Sequence, residues 1–378
     1  MTKTELVRKE FKSEFHADPL MVFSPGRINL IGEHTDYNNG FVLPGAINLG
    51  FSVAIGESKT TASKVIALDK SEALTIDLES INRIDEGGWK NYVLGLLKEF
   101  QKTKKLQNFN MVFGSDLPEG GGLSSSAAML NGIGMAINIL QNLNFSKKDL
   151  IMASQATEHN YVGLECGIMD QFASMFGQKD HLIFLDCSSL KSEIIPFKLD
   201  EYELILINTN IKHNLAETAY NDRKKVCTLM ANRFNQNSLR RVTTDEIDSI
   251  KSKIDHDQML MVKYVFQENG RVQDAVVAIK EKDYSRLGNL MYASHEGLKT
   301  QYMVSCSELD FLVDQAKKYQ FSGSRMMGGG FGGCTINLVK KGKFDEYQDA
   351  IKKAYFEKFN IPCSIYRLTL SEGTHQIH

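Results

Sequence analysis

Apolar residues recur at helical spacing from Leu6 to Phe15, and Met21 to Phe23 then reads as a short strand. The stretch Ser24 to Pro44 is polar and glycine-containing, which predicts an irregular segment. Alternation predicts strands at Phe51–Ile55, Val65–Leu68 and Leu74–Leu78, and helical spacing returns from Trp89 to Phe100. A strand at Asn110–Phe113 leads into a glycine loop and an apolar helix, Ser125–Leu140, and a helix after Asp149 carries Glu158. Ile- and Leu-rich strands follow at His181–Asp186 and Glu203–Asn208. The second half predicts helices near Thr218–Phe234, Met259–Lys280 and Ser305–Lys318, then a second glycine loop and the strand Cys334–Val339. Strands and helices mix without strict βαβ alternation, so the predicted class is α+β rather than a doubly wound sheet. The polar stretch after the strand at Glu203–Asn208 divides the chain into 1–200 and 201–378, with a last strand near Ser364–Leu370 free to return to the first domain.

Composition narrows this picture. The 378 residues suit two domains and a large core without staples. Lys plus Arg (44) against Asp plus Glu (46) gives a net charge of −2, which argues against a nucleic-acid or anionic-membrane coat. No run of 18 apolar residues occurs, and the first ten residues lack the apolar region of a secretory signal. The six cysteines, at 166, 187, 227, 306, 334 and 363, form no CxxC pair. That spacing fits buried thiols in a reducing compartment, and a cytoplasmic protein is expected.

Three segments carry chemistry. In the first, Gly120, Gly121 and Gly122 precede Leu123 and three hydroxyls, Ser124, Ser125 and Ser126, at the start of an apolar helix. One helix cap needs one serine, so three glycines and three serines favour an anion cradle built on backbone N–H groups and the helix dipole. No lysine follows the glycines, so this is not a Walker A loop. The second segment gathers Arg27, Glu33, His34, Thr35, Asp36, Tyr37 and Asn38 within twelve positions. Those residue types leave sugar binding, metal binding and an ordinary capped loop equally open. In the third, Gly328 to Gly333 resembles a dinucleotide fingerprint, but an apparent strand rather than a helix follows. Close backbone approach, to a ligand or to the first glycine loop, is the expectation there.

Taken together, these segments resemble the galactokinases of the GHMP small-molecule kinase superfamily. Arg27 to Pro44 is similar to the sugar-binding signature, Gly120 to Ala128 to the phosphate loop, and Gly328 to Gly333 to the C-terminal glycine motif. Cys166-Gly-Ile-Met-Asp170-Gln171-Phe172 resembles the segment that holds the catalytic aspartate. Tyr220-Asn221-Asp-Arg223 and Val304-Ser305-Cys306 with Glu308-Leu309-Asp310 add further matches. Met327, Ser307, Thr218-Ala219 and Thr300-Gln301 depart from residues frequent in the family.

The resemblance implies two mixed α/β domains of GHMP-kinase type, with the active site in the cleft between a sugar- and phosphate-loop domain and a C-terminal domain. It implies ATP-dependent phosphorylation of the anomeric hydroxyl of α-D-galactose. Asp170 and Arg27 would be catalytic; Glu33, His34, Thr35, Asp36, Gly167 and Tyr220 would bind the sugar. Gly120 to Ser126 would bind the nucleotide, and Ser126 and Glu158 would hold Mg²⁺. Galactose and ATP are the expected small-molecule partners, with no nucleic acid or membrane, and a monomer is compatible with the sequence. Competing readings are a kinase for a related sugar such as N-acetylgalactosamine, a non-catalytic sugar sensor, and, ranked last, a nicotinamide-dependent dehydrogenase.

Overall fold

The computed structural model describes residues 1–118, 120–212, 216–249 and 254–377. In chain order the first half comprises α1 (Lys3–Phe15), β1 (Leu20–Asn29), β2 (Phe41–Val42), β3 (Pro44–Glu57), β4 (Ser63–Ala67), β5 (Glu72–Ile76), α2 (Trp89–Gln101) and β6 (Phe109–Ser115). Then come α3 (Ser125–Leu140), α4 (Lys147–Thr157), α5 (Met169–Phe176), β7 (His181–Asp186), β8 (Lys191–Pro196) and β9 (Tyr202–Lys212). The remainder is α6 (Ala216–Arg233), α7 (Thr244–Ser249), α8 (His256–Lys280), α9 (Tyr284–Thr300), α10 (Ser307–Lys318), β10 (Gly323–Met327), β11 (Gly332–Lys340), α11 (Lys343–Phe359), β12 (Ser364–Leu368) and β13 (His375–Ile377).

Helix starts are locally encoded. Thr2 and Glu5 form a capping box on α1, Ser146 and Asp149 form one on α4, and Asp255 caps α8. A six-stranded sheet runs in the order β13-β1-β3-β6-β4-β5. Its two faces follow the period-2 rule. Met21, Ala54 and Val112 join Val7 and Phe11 of α1, while Val22, Val53, Ile55, Met111 and Phe113 enter the main core. Against that core lies α3, buried from Ala127 to Ile137, with α4 and α5 beside it.

A four-stranded antiparallel sheet, β10-β11-β9-β12, follows the same logic. Ile205 and Ile207 face Leu312, Phe344, Ile351 and Tyr355 of α10 and α11, while Leu204 and Leu206 face the main core. Strand β12 pairs with β9 and β13 returns to β1, so the C-terminal segment touches both sheets; Leu370 makes only an isolated bridge to Ile47. A small sheet, β2-β7-β8, completes the fold. Among the described residues no helix is long and apolar enough to cross a membrane.

Several sequence expectations change. Ser24 to Asn29 is not irregular but continues β1, whose register shifts between Pro25 and Arg27. Pro25 lacks an N–H, and Gly26 backs onto Leu117 and the Leu123 carbonyl, so the strand kinks at a bulge rather than ending. The helix expected to carry Glu158 ends at Thr157, and Glu158–Val162 forms a π-helical turn. Strands β8, β10 and β13 and helices α5, α9 and α11 were not legible in the hydrophobic pattern. The side chains of Thr218 and Ala219 lie outside the described residues.

Candidate active site

The bulge in β1 aims Arg27 into a cavity lined by Glu33, His34, Asp36, Gly120, Gly122, Ser124, Cys166, Asp170, Tyr220 and the Met327–Gly333 loop. Arg27 is buried; its Nε donates to Asp170 Oδ1 at 2.7 Å and its Nη1 to the Gly122 carbonyl. Burial opposes the guanidinium charge, but the carboxylates of Asp170 and Glu33 outweigh it and raise Arg27 further above its ordinary range. Asp170 sits in the first turn of α5, more exposed than Arg27.

The phosphate-loop candidates converge on the same space. Gly120 and Gly122 adopt positive φ, and Ser124 at φ +59° turns the chain into the N-terminus of α3. Gly120, Gly122 and Ser124 line the cavity, and the Ser124 hydroxyl is buried without a partner. Leu123 points instead into the core. The second glycine loop packs back to back with the first. A Cβ on Gly122 would lie 3.3 Å from the Met327 carbonyl, and one on Gly328 would lie 3.3 Å from Gly122 Cα. Close backbone approach between the two loops is therefore what the second glycine run provides.

On the other wall, His34 is left-handed at φ +60° and buried; Nδ1 lies 2.8 Å from the Tyr37 hydroxyl, while Nε2 has no partner. Burial lowers the His34 imidazole to about 4, so it is neutral at pH 7. Burial, helped by the Asp170 charge, raises Asp36 to about 7. Gly167 fits because a Cβ there would come 2.1 Å from Asp36 Oδ2. It lines a second cavity behind Asp36 and Cys166 rather than the main one. The Tyr220 ring packs on His34 and Tyr37 at 5.6 and 5.3 Å between centroids.

Two expected sugar ligands have other work. Thr35 does not line the cavity; its hydroxyl donates to the carbonyls of Gly32 and Phe41 and closes the loop. Glu33 borders the cavity, yet its Oε1 accepts from Arg325 Nη2 at 2.8 Å and Gly328 N at 2.9 Å, and its Oε2 from Asn29. Burial would raise its carboxyl, but Arg325 and Arg27 hold it below the usual range. Arg325 is fully buried and also donates to the carbonyls of Leu30, Met326 and Asn29. No spacing in the sequence marked this residue, although it stands three positions before the glycine run.

Glu158 is 2% exposed, so it is not a helix-surface carboxylate. It takes hydrogen bonds from Cys166, Gln171 and Ser126, and burial still raises it to about 7. Among the described residues no basic side chain pairs with it, and no cluster of three His, Cys, Asp or Glu could hold a metal. A buried carboxylate beside a serine hydroxyl, lacking a cation, fits a hard divalent ion that keeps most of its waters. Among the described residues, Glu33, His34 and Asp36 form no such cluster.

The family model for the N-terminal domain of GHMP kinases matches residues 91–178, and that for the C-terminal domain matches 275–358. The Galactokinase galactose-binding signature matches residues 9–57. A crystal structure of Methanococcus jannaschii mevalonate kinase, 19% identical, superposes at TM-score 0.66 over 94% of this chain and 99% of its own, which shows the shared fold. The crystal structure of Lactococcus lactis galactokinase complexed with galactose is 32% identical and superposes at TM-score 0.94 over the whole of both chains. Galactokinases of Thermosipho africanus (39% identical) and Glaesserella parasuis (37%) align over 95% and 100% of this chain and over their full lengths. With a glycine loop on a helix N-terminus facing a paired arginine and aspartate, the chain is by these matches a GHMP-class small-molecule kinase. Within that class, the chain belongs to the galactokinase family.

Proposed function

We propose that this chain transfers the γ-phosphoryl group of ATP to the anomeric hydroxyl of α-D-galactose, giving galactose 1-phosphate. The observation that carries the reading is the Arg27–Asp170 pair, set in one cavity between the Gly120–Ser124 loop and the wall formed by His34 and Asp36. Phosphoryl transfer asks a protein chiefly to align donor and acceptor and to neutralise charge. Asp170 would take the hydrogen bond of the anomeric hydroxyl and receive its proton as the sugar oxygen bonds to the γ-phosphorus and the bond to the bridging oxygen breaks, releasing ADP. Arg27 would fix Asp170 in place and meet charge developing on the transferred group. Gly120, Gly121, Gly122 and the N–H groups at the start of α3 would cradle the triphosphate.

His34, Asp36, Tyr220 and the backbone at Gly167 would recognise sugar hydroxyls, with Glu33 supporting that wall through Arg325. Ser126 and Glu158 are the residues we assign to hold Mg²⁺, which when bound would neutralise charge on the phosphates. We keep 1–200 and 201–378 as the two domains, with the strand at His375–Ile377 shared back to the first. A cytoplasmic setting is supported by six unpaired cysteines.

The test is galactose-dependent ADP release across a panel of hexoses and their N-acetyl derivatives, ranked by kcat/KM. Galactose is expected to lead. A leading N-acetyl sugar reassigns the acceptor, and absence of ADP release with every sugar makes the chain a sensor.

A further inference from the structure

His34 is the end of a buried hydrogen-bonded chain that the cavity itself does not include. Its Nδ1 meets the Tyr37 hydroxyl at 2.8 Å, Tyr37 meets the Tyr302 hydroxyl at 2.7 Å, and Tyr302 meets Cys227 Sγ at 3.1 Å. These four groups come from distant parts of the sequence: the signature loop, α6 and the segment after α9. Tyr302 is fully buried and Cys227 nearly so. The Tyr302 ring also packs on His34 at 4.9 Å between centroids. Each link taken alone can run in either direction, so the polarity of the chain is decided at its ends.

At the far end, the Asn38 side chain lies beside the Cys227 sulfur and donates through Nδ2 to the His34 carbonyl at 2.9 Å. A thiol sulfur can accept from Asn38 and Tyr302 alike, so the near end sets the polarity. The Gly329 carbonyl beside the His34 ring favours a proton on Nε2, which leaves Nδ1 to accept from Tyr37 O–H, Tyr37 from Tyr302, and Tyr302 from Cys227. A neutral imidazole with Nδ1 as acceptor carries its proton on Nε2. At the near end, Nε2 is the buried, unpartnered atom, with the Gly329 carbonyl facing the ring but outside hydrogen-bond geometry. A buried N–H without an acceptor is costly, and a ligand oxygen relieves that cost.

We propose that Cys227, Tyr302 and Tyr37 form a hydroxyl–thiol relay that locks His34 as the Nε2–H tautomer, making it an obligate donor to one substrate hydroxyl oxygen. Tyr302 and Cys227 touch no substrate, so they are positioning residues that set sugar discrimination from behind the wall. This rests on the galactose reading above. Breaking the relay frees His34 to adopt the other tautomer, which presents a lone pair where the sugar needs a donor.

The experiment uses the full chain with Tyr302→Phe, Tyr37→Phe, Cys227→Ala and Cys227→Ser, each checked for native circular dichroism. ¹⁵N spectroscopy of the imidazoles, with His34 assigned through His34→Gln, reads the tautomer without turnover. The wild type is expected to show unprotonated Nδ1, and Tyr302→Phe a mixture of tautomers. In assays, Tyr302→Phe and Cys227→Ala should raise KM for galactose about three- to tenfold while KM for ATP holds, and Cys227→Ser should restore what Cys227→Ala loses. Among galactose analogues each lacking one hydroxyl, one should lose its penalty in Tyr302→Phe. A protonated Nδ1 in the wild type, or an unchanged galactose KM and analogue profile in Tyr302→Phe, overturns the relay. Failure of the wild type to phosphorylate galactose overturns the functional reading instead, while the tautomer signal still decides the relay's polarity.

Discussion

Arg325 holds Glu33 at 2.8 Å, both side chains withdrawn from solvent, and so ties the signature loop to the strand that feeds the second glycine loop. A buried pair contributes little relative to an apolar replacement of both members, yet losing one member strands a charge. Arg325→Met is therefore expected to cost about 3–5 kcal/mol in urea unfolding. Arg325→Met combined with Glu33→Gln should recover part of that loss, because the stranded carboxylate is gone. Equal costs for the single and double variants would show that the pair is not the source of the stability.

Glu158 gives a pH signature. Burial raises it to about 7, so the folded protein keeps a proton that the unfolded chain releases near pH 4.5. Stability from this group is greatest below the unfolded value and declines as pH rises through 7, since the folded state binds the extra proton. Relative to Glu158→Gln, the wild type should lose about 1 kcal/mol between pH 6 and pH 8 without added metal. Taking the difference removes the opposing trend from His34, which is lowered by burial and favours folding as pH rises toward 6.5. Parallel pH profiles for the two proteins would contradict the assignment.

Backbone geometry at the second glycine loop can be separated from simple strain. Gly330 has φ +83°, and a Cβ there would meet the Val304 carbonyl at 2.1 Å; Gly163 has φ +92° and open space around it. Gly163→Ala should cost about 1 kcal/mol, the strain alone. Gly330→Ala should cost more, about 2–4 kcal/mol, and raise KM for ATP, because the loop must move away from its partner. Thermal unfolding and ATP titration of both variants check this.

Local chemistry was legible in the sequence where few residues carry it. The three glycines before Ser124 and the Glu33–Asn38 cluster each lie within a dozen positions, and the structure brings members of both to one cavity, while the apolar run of α3 forms the helix its pattern predicts. What the sequence hid was created by contact over long separations. Arg325 acquires its meaning from Glu33 nearly three hundred positions away, and Tyr302 from Tyr37 and Cys227. The burial of Glu158 left no mark in the sequence, because Ser126, Cys166 and Gln171, which surround it, lie eight or more positions away. Ser24 to Asn29 read as loop because Pro25 and Gly26 signal a break, and the bulge absorbs both without ending the strand. Thr35, grouped with the sugar ligands by its place in the signature, closes the loop instead.

The most direct measurement is single-turnover phosphorylation of galactose by Asp170→Asn, with ATP and galactose binding followed by calorimetry on the same protein. The account predicts that both substrates still bind while the chemical step slows at least about a thousandfold, since the group that aligns the hydroxyl is lost and the cavity is not. Turnover at the wild-type rate in that variant would contradict it.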